Sequence, residues 1–180
     1  AGIAETHRPP LYPAYLAMNY AIFGKTNLLA PVILQHIMTL LIASMMAYLA
    51  YRLGGPVAAP LAALLYLTEF TSFYYANEIL SETLFTFILS ISMTILAFGV
   101  HKNSVERWWI LAAGISLAAA VFVRPVGLFL AYPATVLLST VVYWQSRCVK
   151  TTLNTGLIFL LPWLIAGGYW YARNFGLSGE

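Results

Sequence analysis

The sequence predicts an all-α fold, a polytopic transmembrane helix bundle of about six transmembrane helices with an N-terminal interfacial helix, and three observations carry that prediction. The 180 residues are 61% hydrophobic and 8% charged, which is outside the range of ordinary soluble domains. Six apolar stretches each come near the length of a bilayer crossing, about 20 residues at roughly 1.5 Å per residue. These runs are continuous, without the alternation of barrel strands, and lipid offers no water to an unpaired amide, so the spans are expected to be helices.

In chain order, residues 1–29 are expected to form an outward-facing loop and an interfacial helix. Pro9 to Phe23 is aromatic and apolar but too short and too Pro-rich to cross, which suits an interfacial or re-entrant segment. Residues 30–180 hold the bundle, with spans expected at Ala30 to Tyr51, Val57 to Tyr75, Ile79 to Val100, Trp108 to Val123, Val126 to Trp144 and Thr155 to Ala172. The fourth, at 16 residues, is short, and Arg124-Pro125 is expected to end it inside the membrane or at a cavity. The chain begins without Met, shows no signal-peptide pattern and stops eight residues after Ala172, so it is expected to be a fragment of a larger membrane domain.

Alternation of the loops assigns the sides. One face carries Arg52, Lys102, Arg107, Arg147 and Lys150 against a single acid, Glu106. The other carries Arg8, Lys25, Arg124 and Arg173 against Glu5, Glu69, Glu78, Glu82 and Glu180. The excess of Lys and Arg on the first face is five to four, and it widens if Arg124 and Arg173 are buried functional groups. The first face is therefore expected in the cytoplasm and the acid-rich face outside.

Several chemistries are absent at this level. One cysteine, Cys148, excludes an internal disulfide and a multi-cysteine metal site. His7, His36 and His101 have no ligand spacing, and no metal-binding residues are assigned. There is no phosphate-cradling glycine loop, no nucleophile elbow and no visible repeat of 20 to 50 residues. No cofactor is identified, a role for a divalent metal stays open, and no nucleic-acid partner is expected.

The remaining signal is the charge gathered on the acid-rich face. Glu78 and Glu82 are four apart and would share one face of a helix starting near Ile79. Asn77-Glu78 reads equally well as capping chemistry at a helix N-terminus. Glu82 lies about a turn deeper, where charge is costly and usually faces a cavity or a partner. Glu69 reads as a packing or interfacial group near the end of the second span. Arg124, between two apolar runs and followed by Pro125 and Gly127, interrupts the backbone where side chains can face a cavity. Its bland reading is an arginine snorkelling to headgroups. Arg173 follows Tyr169-Trp170-Tyr171 and is either a ligand group or an interfacial anchor. Trp108, Trp109, Trp144 and Trp163 are assigned to aromatic belts and packing, and Arg147, Cys148 and Lys150 to a plain cytoplasmic loop.

Taken in order, Arg8-Pro9-Pro10-Leu11-Tyr12-Pro13, Tyr51-Arg52-Leu53-Gly54-Gly55, Leu80-Ser81-Glu82-Thr83-Leu84-Phe85, Arg124-Pro125-Val126-Gly127-Leu128, Pro162-Trp163 and Arg173-Asn174 form a recognisable series. It resembles the polytopic glycosyltransferases of the C superfamily, in particular the prokaryotic relatives of protein O-mannosyltransferases and of the transferase that adds aminoarabinose to lipid A. The resemblance runs over nearly the whole chain. It implies an integral protein of a prokaryotic plasma membrane that moves a sugar from a polyprenyl-phosphate carrier to a glycan, lipid or protein acceptor on the outer side. It also implies that the catalytic base lies upstream of Ala1, so that this chain alone is not expected to transfer sugar. Glu82 matches a family acid at the outer start of a helix.

Residue chemistry agrees with that implication, because a planar guanidinium holds a departing phosphate through paired hydrogen bonds better than an ammonium does. Arg124 is the first candidate for substrate binding, with Arg8, Arg173, Glu82, Glu78 and Tyr12 completing the set. The rival class is a transporter or channel subunit with a one-sided charged vestibule. A transporter, however, should place its ionisable groups near the midplane. A purely structural membrane subunit would need no such gathering of charge.

Overall fold

A computed structural model describes residues 9–101 and 104–178. In chain order the elements are α1 (Leu11–Phe23), α2 (Leu29–Gly54), α3 (Ala58–Leu67), α4 (Phe70–Asn77), α5 (Ser81–Gly99), β1 (Val100–His101), β2 (Ser104–Val105), α6 (Arg107–Val121), α7 (Gly127–Ser146) and α8 (Val149–Ser178). The chain is an all-α membrane bundle apart from the β1–β2 hairpin, in which Val100 pairs with Val105 and His101 with Ser104.

Among the described residues, four helices are long and apolar enough to cross a bilayer: α2, α5, α7 and α8 as far as Gly176. The other two expected spans correspond to shorter apolar helices. α6 has 15 residues, close to the short span expected at Trp108 to Val123. The span expected from Val57 to Tyr75 is broken in two. α3 ends at Leu67, and Glu69 turns extended (ψ 117°) and starts α4 as its N-cap. The Glu69 carboxylate accepts from Thr71 N at 2.9 Å and Ser72 N at 2.6 Å. It thereby replaces carbonyls that a continuous helix would have supplied to those amides. Glu69 is thus an exposed cap inside the expected span and not a group at its outer end.

The helices pack in a row. α3 and α4 lie on α2, α2 on α5, α5 on α6, α6 on α8, and α8 on α7. The core sits around α6, where Ile110, Ala113, Leu117 and Val121 meet Phe159 and Trp163 of α8 and Ala131, Leu138 and Val142 of α7. Close approach is made possible by Gly114. A Cβ there would collide with the carbonyl oxygen of Phe159 and lie 3.1 Å from its carbonyl carbon. Two hydroxyls tie α5 to α6 in opposite directions: Ser92 donates to Ala113 O at 2.8 Å and Ser116 to Ile88 O at 3.1 Å. Small residues at a contact and hydroxyls bonding across it are what helices in lipid use, because apolar burial does not favour protein over lipid tails.

The two ends are distinct. At one, Arg52 of α2 donates to Ala97 O at 3.2 Å and to Tyr48 Oη at 2.9 Å, next to the hairpin and the start of α6. This basic end also carries Arg107, Arg147 and Lys150 at the termini of α6, α7 and α8. α7 closes there through Arg147, whose left-handed φ of 51° turns the chain into α8. The other end gathers the start of α5, the reversal between α6 and α7, and α1.

Candidate active site at the acid-bearing end

α6 ends in a tight reversal. Val123 N and Arg124 N both donate to Ala120 O, at 3.1 and 3.0 Å, and Gly127 N returns to Arg124 O at 3.1 Å. Pro125 supplies no amide, so the turn loses no donor by passing through it. Gly127 is buried where the start of α7 comes back against α6, and a Cβ there would lie 3.1 Å from Val121 N. The result holds the Arg124 backbone at the rim of the bundle with its side chain half-buried.

α5 starts across from it. Leu80 is extended (ψ 159°), Ser81 opens the helix and Glu82 lies in its first turn, where the helix dipole favours a carboxylate. Two buried polar side chains fix this start. Gln35 of α2 donates to Leu80 O at 3.0 Å, and the Thr83 hydroxyl donates to Tyr75 O at 3.2 Å. Glu82 and Arg124 then form an ion pair, Oε1 to Nη1, at 2.6 Å, with side chains 23% and 37% exposed. A pair this accessible is partly screened, so it orients the two groups more than it stabilises the fold.

The second carboxylate oxygen of Glu82 is buried without a protein partner, as are the hydroxyls of Tyr12 and Tyr15. α1 brings these tyrosines in by docking its first amide, Leu11 N, on Phe122 O at 2.9 Å. Burial foremost, then the neighbouring Tyr15, Glu82 and Tyr20, pushes the Tyr12 phenol well above its ordinary range. It therefore stays protonated as a hydrogen-bond donor beside a carboxylate.

The other sequence candidates lie apart from this pair. Arg173 stacks over Trp170 at 5.3 Å and donates to Asn174 Oδ1 at 3.2 Å. Trp170 in turn meets Phe122 edge-on at 6.3 Å, so Arg173 shares the acid-bearing end. Glu78 caps the C-terminus of α4, is exposed, and does not share a face with Glu82, because α5 starts only at Ser81. Arg8 lies outside the described residues, as do Glu5, Lys102 and Glu180. Sequence reasoning missed Gln35 and Asn19, each 1% exposed, with Asn19 Nδ2 donating to Tyr15 O at 2.7 Å and one carbonyl oxygen on each side chain left unpartnered. An amide inside an otherwise apolar run is the signal that could have found them.

Comparison with known proteins adds one match. The profile of a family described as dolichyl-phosphate-mannose-protein mannosyltransferase covers residues 7–169. No curated protein and no solved structure matches the chain.

Proposed function

Because the chain belongs to the dolichyl-phosphate-mannose-protein mannosyltransferase family of membrane glycosyltransferases, we propose that its acid-bearing end takes part in transfer of a sugar from a polyprenyl-phosphate donor to an acceptor outside the membrane. The observation that carries this reading is the Glu82–Arg124 ion pair at 2.6 Å beside the unpartnered Glu82 and Tyr12 oxygens. It puts a guanidinium, a carboxylate and a phenol at one rim of a bundle whose described Lys and Arg residues otherwise lie mostly at the opposite end.

In the proposed reaction an acceptor hydroxyl attacks the anomeric carbon and loses its proton to a base, while the electron pair of the glycosyl–oxygen bond goes to the carrier phosphate. The charge that grows on that phosphate is what a fixed guanidinium stabilises. Glu82 engages Nη1 of Arg124, which leaves the other N–H groups of the fork for the phosphate oxygens. Tyr12 would donate to the same anion or to a sugar hydroxyl. Arg173, Glu78 and Arg8 are second-rank contributors to donor binding, and none of these residues is assigned the role of base. The excess of Lys and Arg at the basic end supports the outward orientation of the acid-bearing end.

Arg124→Ala in the intact enzyme tests the proposal. Loss of a charge-assisted contact that strengthens as charge grows on the departing phosphate costs on the order of 2 to 4 kcal/mol, roughly 30- to 1000-fold in donor-dependent transfer. Arg124→Lys keeps the charge without the fork and should recover part of the activity. Near-normal transfer by Arg124→Ala removes the phosphate role. Transfer that falls only in step with thermal stability in detergent makes the ion pair structural.

A further inference from the structure

At the basic end, between β2, the last turn of α7 and the first turns of α8, lies an open cavity of about 970 Å³. We propose that it binds an anionic phospholipid of the adjoining leaflet, with the phosphate headgroup between Arg107 and Lys150. This site is separate from the Glu82–Arg124 pair and does not depend on the function proposed for it.

The lining divides by chemistry. Arg107 and Lys150 supply two cations, Ser146 and Asn154 supply neutral hydrogen-bonding groups, and among the described residues no carboxylate lines the cavity. Glu106, next to Arg107 in sequence, has an interaction of its own and is not part of the lining. Val149, Leu153 and Leu157 form the apolar wall. Their spacing of four residues puts them on one stripe of α8, about 12 Å long at 1.5 Å per residue. The cavity therefore has a charged head and an apolar flank.

Its depth is set by aromatic residues. Trp108 follows Arg107 and is 82% exposed, and Trp144 precedes the lining residue Gln145 and is 71% exposed. Exposed tryptophans at helix ends sit at the level of lipid headgroups. The cations are thus at headgroup level, and the stripe runs from there along α8 toward the hydrocarbon. A free anion would satisfy Arg107 and Lys150 and leave Leu153 and Leu157 bare, whereas a zwitterionic lipid would cover the leucines and bring no net charge to the cations. A phospholipid with one net negative charge matches both parts.

The test is native mass spectrometry of the purified chain in detergent, titrated with phosphatidylglycerol, phosphatidylcholine or inorganic phosphate. Phosphatidylglycerol should be retained in preference to phosphatidylcholine. The Arg107→Gln/Lys150→Gln double variant should weaken that retention about 30-fold, the attraction of two surface cations. Lys150→Arg should bind like the wild type. Leu153→Ser/Leu157→Ser keeps both cations and should still weaken retention, which covers the case in which the charge variant folds poorly. Equal retention of the two lipids, or undiminished phosphatidylglycerol binding by the charge variant, overturns the proposal. Displacement of the lipid by millimolar inorganic phosphate would identify a soluble anion as the ligand and overturn it as well.

Discussion

α3 and α6 are both short apolar helices, of 10 and 15 residues, and the bundle treats them in opposite ways. α6 buries Ile110, Ala113, Gly114, Leu117, Ala118, Ala120 and Val121, whereas α3 buries no residue fully. On α3 the partly covered positions are Ala58, Ala59, Ala62, Ala63 and Tyr66, while Leu61, Leu64 and Leu65 are exposed. α3 thus turns its alanines to α2 and its leucines outward, where lipid is as apolar as any core. In α6 Gly114 and the stripe of Ile110, Leu117 and Val121 both face protein, because α5 and α8 close on it from two sides. Apolar content alone does not distinguish a helix that faces lipid from one that faces protein; the placing of small residues and hydroxyls does.

The largest effect that should follow is at Gly114. Gly114→Ala puts a methyl against the Phe159 carbonyl and should push α6 from α8, at a cost of about 1 to 3 kcal/mol. Gly114→Leu should prevent the native contact altogether. Unfolding in mixed micelles measures both, and an unaffected Gly114→Ala variant would mean that α6 is not enclosed as described. Next comes Ser92→Ala, which removes the bond to Ala113 O and should cost about 0.6 kcal/mol and no more than about 1.7 kcal/mol. The smallest effect belongs to Leu64→Ala, which trims a side chain 59% exposed and should shift stability by less than about 0.5 kcal/mol. A loss there as large as at Gly114 would show that α3 is covered by another protein surface, and would erase the contrast between the two helices.

Much of the site is legible in the amino-acid sequence. Charge in apolar sequence is costly enough to stand out, so Glu82 and Arg124 are conspicuous, and Arg124-Pro125-Val126-Gly127 marks a backbone break that the structure contains. The break at Glu69 is not legible in the same way. Thr68-Glu69-Phe70 carries neither proline nor glycine, and only the bonds from Thr71 N and Ser72 N reveal that the carboxylate caps a new helix. The shared helical face expected for Glu78 and Glu82 fails for a similar reason, since spacing four apart has meaning only if both residues lie in one helix, and α5 starts at Ser81.

Sequence alone makes this chain a membrane bundle, because each peptide group in lipid must be paired within its own segment and long apolar runs permit little except helix. It dictates the segregation of charge as well, since loops between spans fall alternately at the two ends. Packing in three dimensions adds the pairing of Glu82 with Arg124, the enclosure of α6, the approach of Tyr12 through Leu11 N and Phe122 O, and the clamp of Gln35 on Leu80. The division arises because lipid and protein interior are nearly equivalent as solvents for a leucine. Hydropathy therefore fixes which segments enter the membrane, while the fit of small side chains and a few hydrogen bonds fixes which of them meet.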